Sequence, residues 1–195
     1  GRNQRSVPKG RTIDPVSGWE AVTRGATPSV LDAFGVPAHW ATRCEDAVHV
    51  GHDGTGDALM TRLTELQETG AFPHVDAKLR QFGTYGGGNH FAECEAVSVE
   101  DAATADAFGL VDGGVAFLSH CGSRGFGYTL AQLGFRMLED HFARWSTPFP
   151  AGDKNLVYAP LGSPEADAYL DYMALGANFA TLNHLLINAL VLEAF

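Results

Sequence analysis

The sequence predicts a mixed α+β domain. Two short strands bounded by glycines are expected at residues 91–99 and 114–119, a long amphipathic helix at 128–145, and a longer apolar helix at 165–193. These elements lack the regular strand–helix–strand rhythm of a parallel sheet. With 195 residues the chain is long enough for one sizeable core, so a single domain is expected.

Residues 1–30, rich in Gly, Pro and Ser, read as irregular, and the stretch GRNQRSVPKGR at the start is locally basic and reads as a flexible terminus. Ser29 is placed to cap a short helix before the Gly35-Val36-Pro37 break. A helix is expected near 57–68, after the turn HVGHDGTGD. Between the two strands, EDAATADAFGL reads as a short helix or turn. In the amphipathic helix Ala131, Phe135, Leu138, Phe142 and Trp145 recur at helical spacing, and Pro148 stops it. The last helix is apolar around nearly its whole circumference. One stripe runs through Leu170, Met173, Ala177, Ala180 and Ile187, the other through Leu175, Phe179, Leu182, Leu186 and Leu190. A helix of that kind is a buried one and needs cover from other chain.

A formal net charge of −10 is not that of a protein that binds nucleic acid through a broad basic face. RNA stays open as a substrate, because a local Arg patch or a bound metal ion supplies positive charge where a phosphate reacts. Cys44, Cys94 and Cys121 are odd in number and include no CxxC pair, which fits a reducing cytoplasm and not a disulfide framework. No uninterrupted apolar run reaches the roughly 18 residues that span a membrane and no signal peptide opens the chain, so no membrane partner is expected. The chain opens without an initiator Met and is expected to be an internal piece of a longer protein.

Two segments carry the chemistry. The first is FGTYGGGNHFAE, residues 82–93. Its three consecutive glycines bring backbone close to a neighbour just before a strand, and such loops expose N–H groups that cradle phosphate oxygens. Asn89, His90 and Glu93 add an amide, an imidazole and a carboxylate within five positions. A plain strand would put Asn89, Phe91 and Glu93 on one face and His90 on the other, so a shared site requires an irregular strand start. A glycine-rich turn with a His packed by chance is the competing reading. The second segment is SHCGSRGFG, residues 119–127, in which a strand runs into a small-residue turn that opens a helix. Such a junction favours anions, and Arg124 adds a planar fork suited to phosphate. His120 closes the strand, where side chains face a cleft, and the attached anion turn favours a functional reading over a core His. Cys121 reads as packing more than as a soft-metal ligand.

The remaining candidates are weaker. Cys44, His49, His52 and Asp53 resemble a metal cluster on paper, yet their spacing matches no regular site and reads as a solvated loop. His39, His74 and His141 stand alone. His184, beside Asn183 on the apolar helix, reads as a core His with a hydrogen-bond partner.

The two chemical segments, in this order, resemble the RtcB family of RNA ligases. GTYGGGNHFAE is similar to the family's G-T-L-G-x-G-N-H-F-x-E element and HCGSRGFG to its H-S/T-G-S-R-G-x-G element. A third match follows. Residues 156–160 (LVYAP) and 168–183 (AYLDYMALGANFATLN) resemble the helix Y-x-x-A-M-x-x-A-x-N-F-A-x-x-N-R. The likeness runs from about Val7 to about Ile187.

The resemblance implies an α+β fold of mixed sheets with helices around a central metal cleft. It implies a single, partial catalytic domain over residues 1–195, truncated at both ends. It further implies a GTP- and Mn²⁺-dependent ligase that joins 2′,3′-cyclic phosphate or 3′-phosphate RNA ends to 5′-hydroxyl ends, in tRNA splicing or RNA repair, with or without an archease-type activator. In the family a histidine becomes guanylylated, and GMP then activates the RNA 3′-phosphate. Carried over by motif, His90 and His120 would be manganese ligands, Asn89 and Glu93 would contact the guanosine nucleotide, and Ser123 with Arg124 would hold phosphate of the RNA. The family's D-x-x-C metal element belongs upstream of Val7, where no match precedes it. A third metal His and the guanylylated His belong downstream of Phe195, so no catalytic nucleophile is expected in this chain and the piece alone is expected to be inactive. Tyr85 stands for the usual Leu, Cys121 for Ser or Thr, and His184 for Arg. Two other readings remain: a divalent-metal phosphoesterase or nucleotidyl transferase on the same scaffold, and a paralogue that binds metal or nucleotide without turnover.

Overall fold

The computed structural model describes residues 13–194. The basic N-terminal stretch lies outside the described residues. A helix, α1 (Pro15–Arg24), occupies chain that composition suggested would be irregular, and α2 (Pro28–Ala33) is the short helix expected before Gly35. The carboxylate of Asp14 accepts the N–H of Ser17, and Thr27 Oγ1 accepts that of Val30. Each proline sits in the first turn, where its missing N–H is no loss. Thr27 is therefore the cap, and Ser29 lies inside α2. A 3₁₀ turn (Ala38–Arg43) leads into the loop before α3 (Asp57–Glu68), which falls where the sequence predicts it, and a short α4 (Val75–Leu79) follows.

The expected strands form one antiparallel pair, β1 (Phe91–Ala96) and β2 (Val115–His120), separated by α5 (Ala102–Phe108). Phe91 pairs with His120, Glu93 with Leu118 and Ala96 with Val115. This two-stranded sheet is the only one among the described residues, so the α+β class holds through a helical body carrying one ribbon.

The body is built on α6 (Arg124–Arg144) and α7 (Pro164–Ala194). The α6 helix starts four residues before the predicted amphipathic stretch. Its buried line is Phe126, Leu130, Gly134, Leu138 and Phe142, whereas Phe135 and Trp145 are exposed. Glycine explains the difference. A Cβ on Gly134 would lie 2.9 Å from the Tyr169 ring, so α7 packs along the glycine line. On α7 the stripe through Leu175, Phe179, Leu182 and Leu186 is buried, while Leu170 and Met173 remain exposed. The cover expected for an all-round apolar helix is thus half present. By length and composition α7 also satisfies the criteria for a membrane span, contrary to the expectation from uninterrupted runs. Three fully buried polar side chains, Asp171, Asn178 and Asn183, mark it instead as a core helix that anchors loops.

Phenylalanines form the centre of the core. Phe82 stacks on Phe179 with ring centroids 3.9 Å apart, Phe126 stacks on the same ring at 5.4 Å, and Phe34 meets Phe82 edge-on. Phe82 immediately precedes the glycine-rich segment and Phe126 follows Arg124. One aromatic stack therefore sits beneath both segments that carry chemistry.

Candidate functional site

The glycine-rich segment leaves Phe82 as irregular chain and becomes strand only at Phe91. That irregular start lets His90 approach the end of β2, with the His90 and His120 rings 5.9 Å apart between centroids and tilted by 42°. His90 Nδ1 lies 2.8 Å from the carbonyl oxygen of Tyr85. A carbonyl only accepts, so Nδ1 carries a proton, and in the neutral ring it is Nε2 that offers the lone pair. Nε2 faces Gly122, at 3.6 Å from where a Cβ on that residue would stand. A His whose second nitrogen is fixed by a backbone carbonyl is oriented as metal-binding histidines are. His120 is exposed, lies parallel to Phe91 at 5.4 Å, and makes no ring hydrogen bond among the described residues.

Arg124 organises the loop opposite. Its Nε donates to Thr84 Oγ1 and its Nη1 to Tyr85 O, each at 3.0 Å. Tyr85 O thus accepts from Arg124 and His90 together. A Cβ on Gly86 would fall 1.1 Å from Nη1, and Gly86 has φ of +92°, so only glycine gives the guanidinium this seat. Burial also lowers the Arg124 pKa from its ordinary value. Arg124 itself holds a left-handed φ of +54° at the start of α6, a strained junction of the kind found at ligand sites.

The other sequence candidates lie on the same two segments. Asn89 and Glu93 are exposed, and neither side chain makes a hydrogen bond among the described residues. The pairing register sets Glu93 on the same ribbon face as Phe91 and His120. Ser123 stands at the start of α6 without capping it, its Oγ against Gly127. Half burial pushes the Cys121 thiol up to about 11, which keeps it protonated. His184 donates from Nδ1 to Ala180 O and accepts the Cys121 N–H at Nε2, so both nitrogens are engaged. An Arg there would have no acceptor for that N–H.

The paper cluster of Cys44, His49, His52 and Asp53 dissolves in three dimensions. His52 Nδ1 binds the buried Asp171 at 2.7 Å, and Arg62 Nε binds the other Asp171 oxygen. Asp53 caps the next turn by accepting the N–H groups of Thr55, Gly56 and Ala58. Among the described residues no group of three His, Cys, Asp or Glu side chains is arranged to hold a metal. His90 and His120 are therefore a pair of imidazoles without a third such side chain beside them among the described residues.

Asn183 and Asn178, both in the helix motif but assigned no role from it, tie distant loops to α7. Asn183 Oδ1 accepts from Gly83 and Thr84, and its Nδ2 donates to Thr84 O and Gly122 O. Asn178 does the equivalent for the 48–50 loop and α1, through His49 and Val22. The available signal was two amides five residues apart on an apolar helix, since buried amides require partners.

A family model described as tRNA-splicing ligase RtcB matches residues 4–195. The chain belongs to the RtcB family. It is 33% identical over 203 residues to the RNA-splicing ligase RtcB of Mycobacterium tuberculosis, a match covering 100% of this chain and 43% of that protein. It is 38% identical over 174 residues to the tRNA-splicing ligase RtcB of Pyrococcus horikoshii, covering 82% of this chain and 20% of that protein. A 40% identical stretch of 116 residues matches the Aeropyrum pernix tRNA-splicing ligase RtcB. The chain thus spans less than half the length of these RtcB relatives.

Proposed function

We propose that this chain is a section of a GTP- and Mn²⁺-dependent RNA ligase that joins 2′,3′-cyclic phosphate or 3′-phosphate ends to 5′-hydroxyl ends. The observation that carries the reading is the His90–His120 pair, with the His90 Nδ1–H fixed on Tyr85 O and Nε2 left to ligate. In this reading His90 and His120 hold Mn²⁺, which when bound supplies positive charge beside the reacting phosphate. Asn89 and Glu93, exposed beside the open glycines 87 and 88, contact the guanosine nucleotide. Ser123 and Arg124 hold RNA phosphate. Arg124 commits Nε and Nη1 to the loop, and its Nη2 makes no hydrogen bond among the described residues, so one donor group remains for a phosphate oxygen. The wider sheets around a metal cleft belong to the parent protein in this account.

The parent protein, incubated with labelled GTP and Mn²⁺ and given RNA with 2′,3′-cyclic phosphate and 5′-hydroxyl ends, is expected to form an acid-labile protein–GMP adduct and to join the ends. Both products should disappear without Mn²⁺. Folded parent protein that forms no adduct would refute the ligase reading. RNA cleaved or dephosphorylated instead of joined would favour a metal phosphoesterase.

A further inference from the structure

We infer that Asn183 is a positioning residue that ties the two histidine-bearing segments to one point and so sets the His90–His120 separation. The segments come from distant parts of the chain, one before β1 and one after β2. The β1–β2 ribbon that joins them has most of its residues exposed, so it provides little packing to hold its open end in register. Arg124 ties the segments from the surface side through Thr84 and Tyr85, and Asn183 adds a buried tie from α7. It is fully buried, and its amide reaches both sides at once. On the first segment its Oδ1 takes the N–H groups of Gly83 at 2.8 Å and Thr84 at 3.3 Å, and its Nδ2 donates to Thr84 O at 3.1 Å. On the second, the same Nδ2 donates to Gly122 O at 3.0 Å. Thr84 adjoins Tyr85, whose carbonyl orients His90, and Gly122 lies two residues beyond His120 and against His90 Nε2. Each donor and acceptor of the amide is engaged, so neither contact can shift without breaking the other.

The same helix contains its own control. Asn178 is equally buried and also bonds through both amide atoms, but it holds His49 and Val22, away from the histidine pair. Loss of either amide should weaken the fold, and loss of Asn183 alone should disturb the site.

The inference rests on the proposed metal role of His90 and His120, so its test has a readout that needs no metal. Asn183→Ala, Asn183→Asp and Asn178→Ala are prepared in the full chain and studied well below their melting temperatures. The imidazole ¹⁵N resonances are recorded without metal, and Mn²⁺ affinity is then titrated by electron paramagnetic resonance. Asn183→Ala is expected to shift or broaden the His90 and His120 ring signals and to weaken Mn²⁺ binding about 10- to 100-fold, the usual consequence of removing a group that orients a ligand. Asn183→Asp keeps the acceptor but loses the donor to Gly122, so it should move His120 signals as well. Asn178→Ala should leave the rings and the affinity near wild type. Unchanged ring signals in Asn183→Ala, or equal disturbance by Asn178→Ala, overturns the positioning role. Shifted rings in a chain whose wild type binds no Mn²⁺ support the positioning role and refute the metal reading.

Discussion

Gly86→Ala would place a methyl carbon 1.1 Å from Nη1 of Arg124, at a residue with φ of +92°. The flexible guanidinium would swing aside, and the bond from Nη1 to Tyr85 O would go with it. The backbone contribution of a Cβ held at positive φ is about 1–2 kcal/mol. The lost charge-assisted hydrogen bond contributes about 1.5–3 kcal/mol, toward the lower end because Arg124 is only half buried. Gly86→Ala alone should therefore cost about 3 kcal/mol, the sum of the two contributions. In an Arg124→Ala background the seat is empty, and only the backbone contribution remains. Urea unfolding of the wild type, both single variants and the double variant closes the cycle. It should return a coupling of about 1.5–3 kcal/mol. A coupling below about 0.5 kcal/mol, within the range of independent sites, would show that Gly86 does not seat Arg124.

Three further outcomes follow from the packing and the titrating groups. The His52 pKa is raised, chiefly by its hydrogen bond to Asp171, so the protonated ring stabilises the fold below about pH 6.5 and that contribution is lost as pH rises through the folded value. The urea midpoint difference between wild type and His52→Gln should be larger at about pH 6 than at about pH 8; equal differences would rule out the linkage. The Asp53 carboxyl is held well below the usual carboxylate range by the N–H groups of Thr55, Ala58 and Gly56, so its stabilisation is present above about pH 4 and lost on acidification. Asp53→Asn should flatten the loss of stability below about pH 4, and an unaltered acid profile would contradict the cap. Phe179→Ala removes the ring shared by Phe82 and Phe126 and should cost about 3–5 kcal/mol by urea unfolding. A cost below about 1 kcal/mol would mean that the stack is not the centre of the core.

Periodicity and glycine punctuation made α3, the β1–β2 ribbon and α7 legible, because each is bounded by chemistry local to its own sequence. Alternation along a plain strand set the condition that a site shared by Asn89, His90 and Glu93 needs an irregular strand start, and the chain is irregular up to Phe91. Other features depend on partners far along the chain. Proline normally signals a break, so α1 became visible only when Asp14 proved to cap a helix that opens on Pro15, and α2, expected with Ser29 as its cap, starts instead from Thr27 before Pro28. In α6 the buried line follows Gly134 and not Phe135, because the tyrosines that pack against that glycine come from α7. His52 looked like part of a loop cluster and is tied to Asp171, 119 residues away. Asn183 stands in the helix motif, but the partners that define its role do not, since its bonds reach back 61 to 100 residues.

Joint action of His90 and His120 on one divalent ion is read out by Mn²⁺ titration of the full chain, followed by electron paramagnetic resonance, in wild type, His90→Ala, His120→Ala and Tyr85→Phe. Each histidine variant should lose affinity about tenfold or more. Tyr85→Phe keeps the carbonyl that orients His90 and should stay near wild type. Affinity unchanged in both histidine variants would show that the pair does not hold the ion.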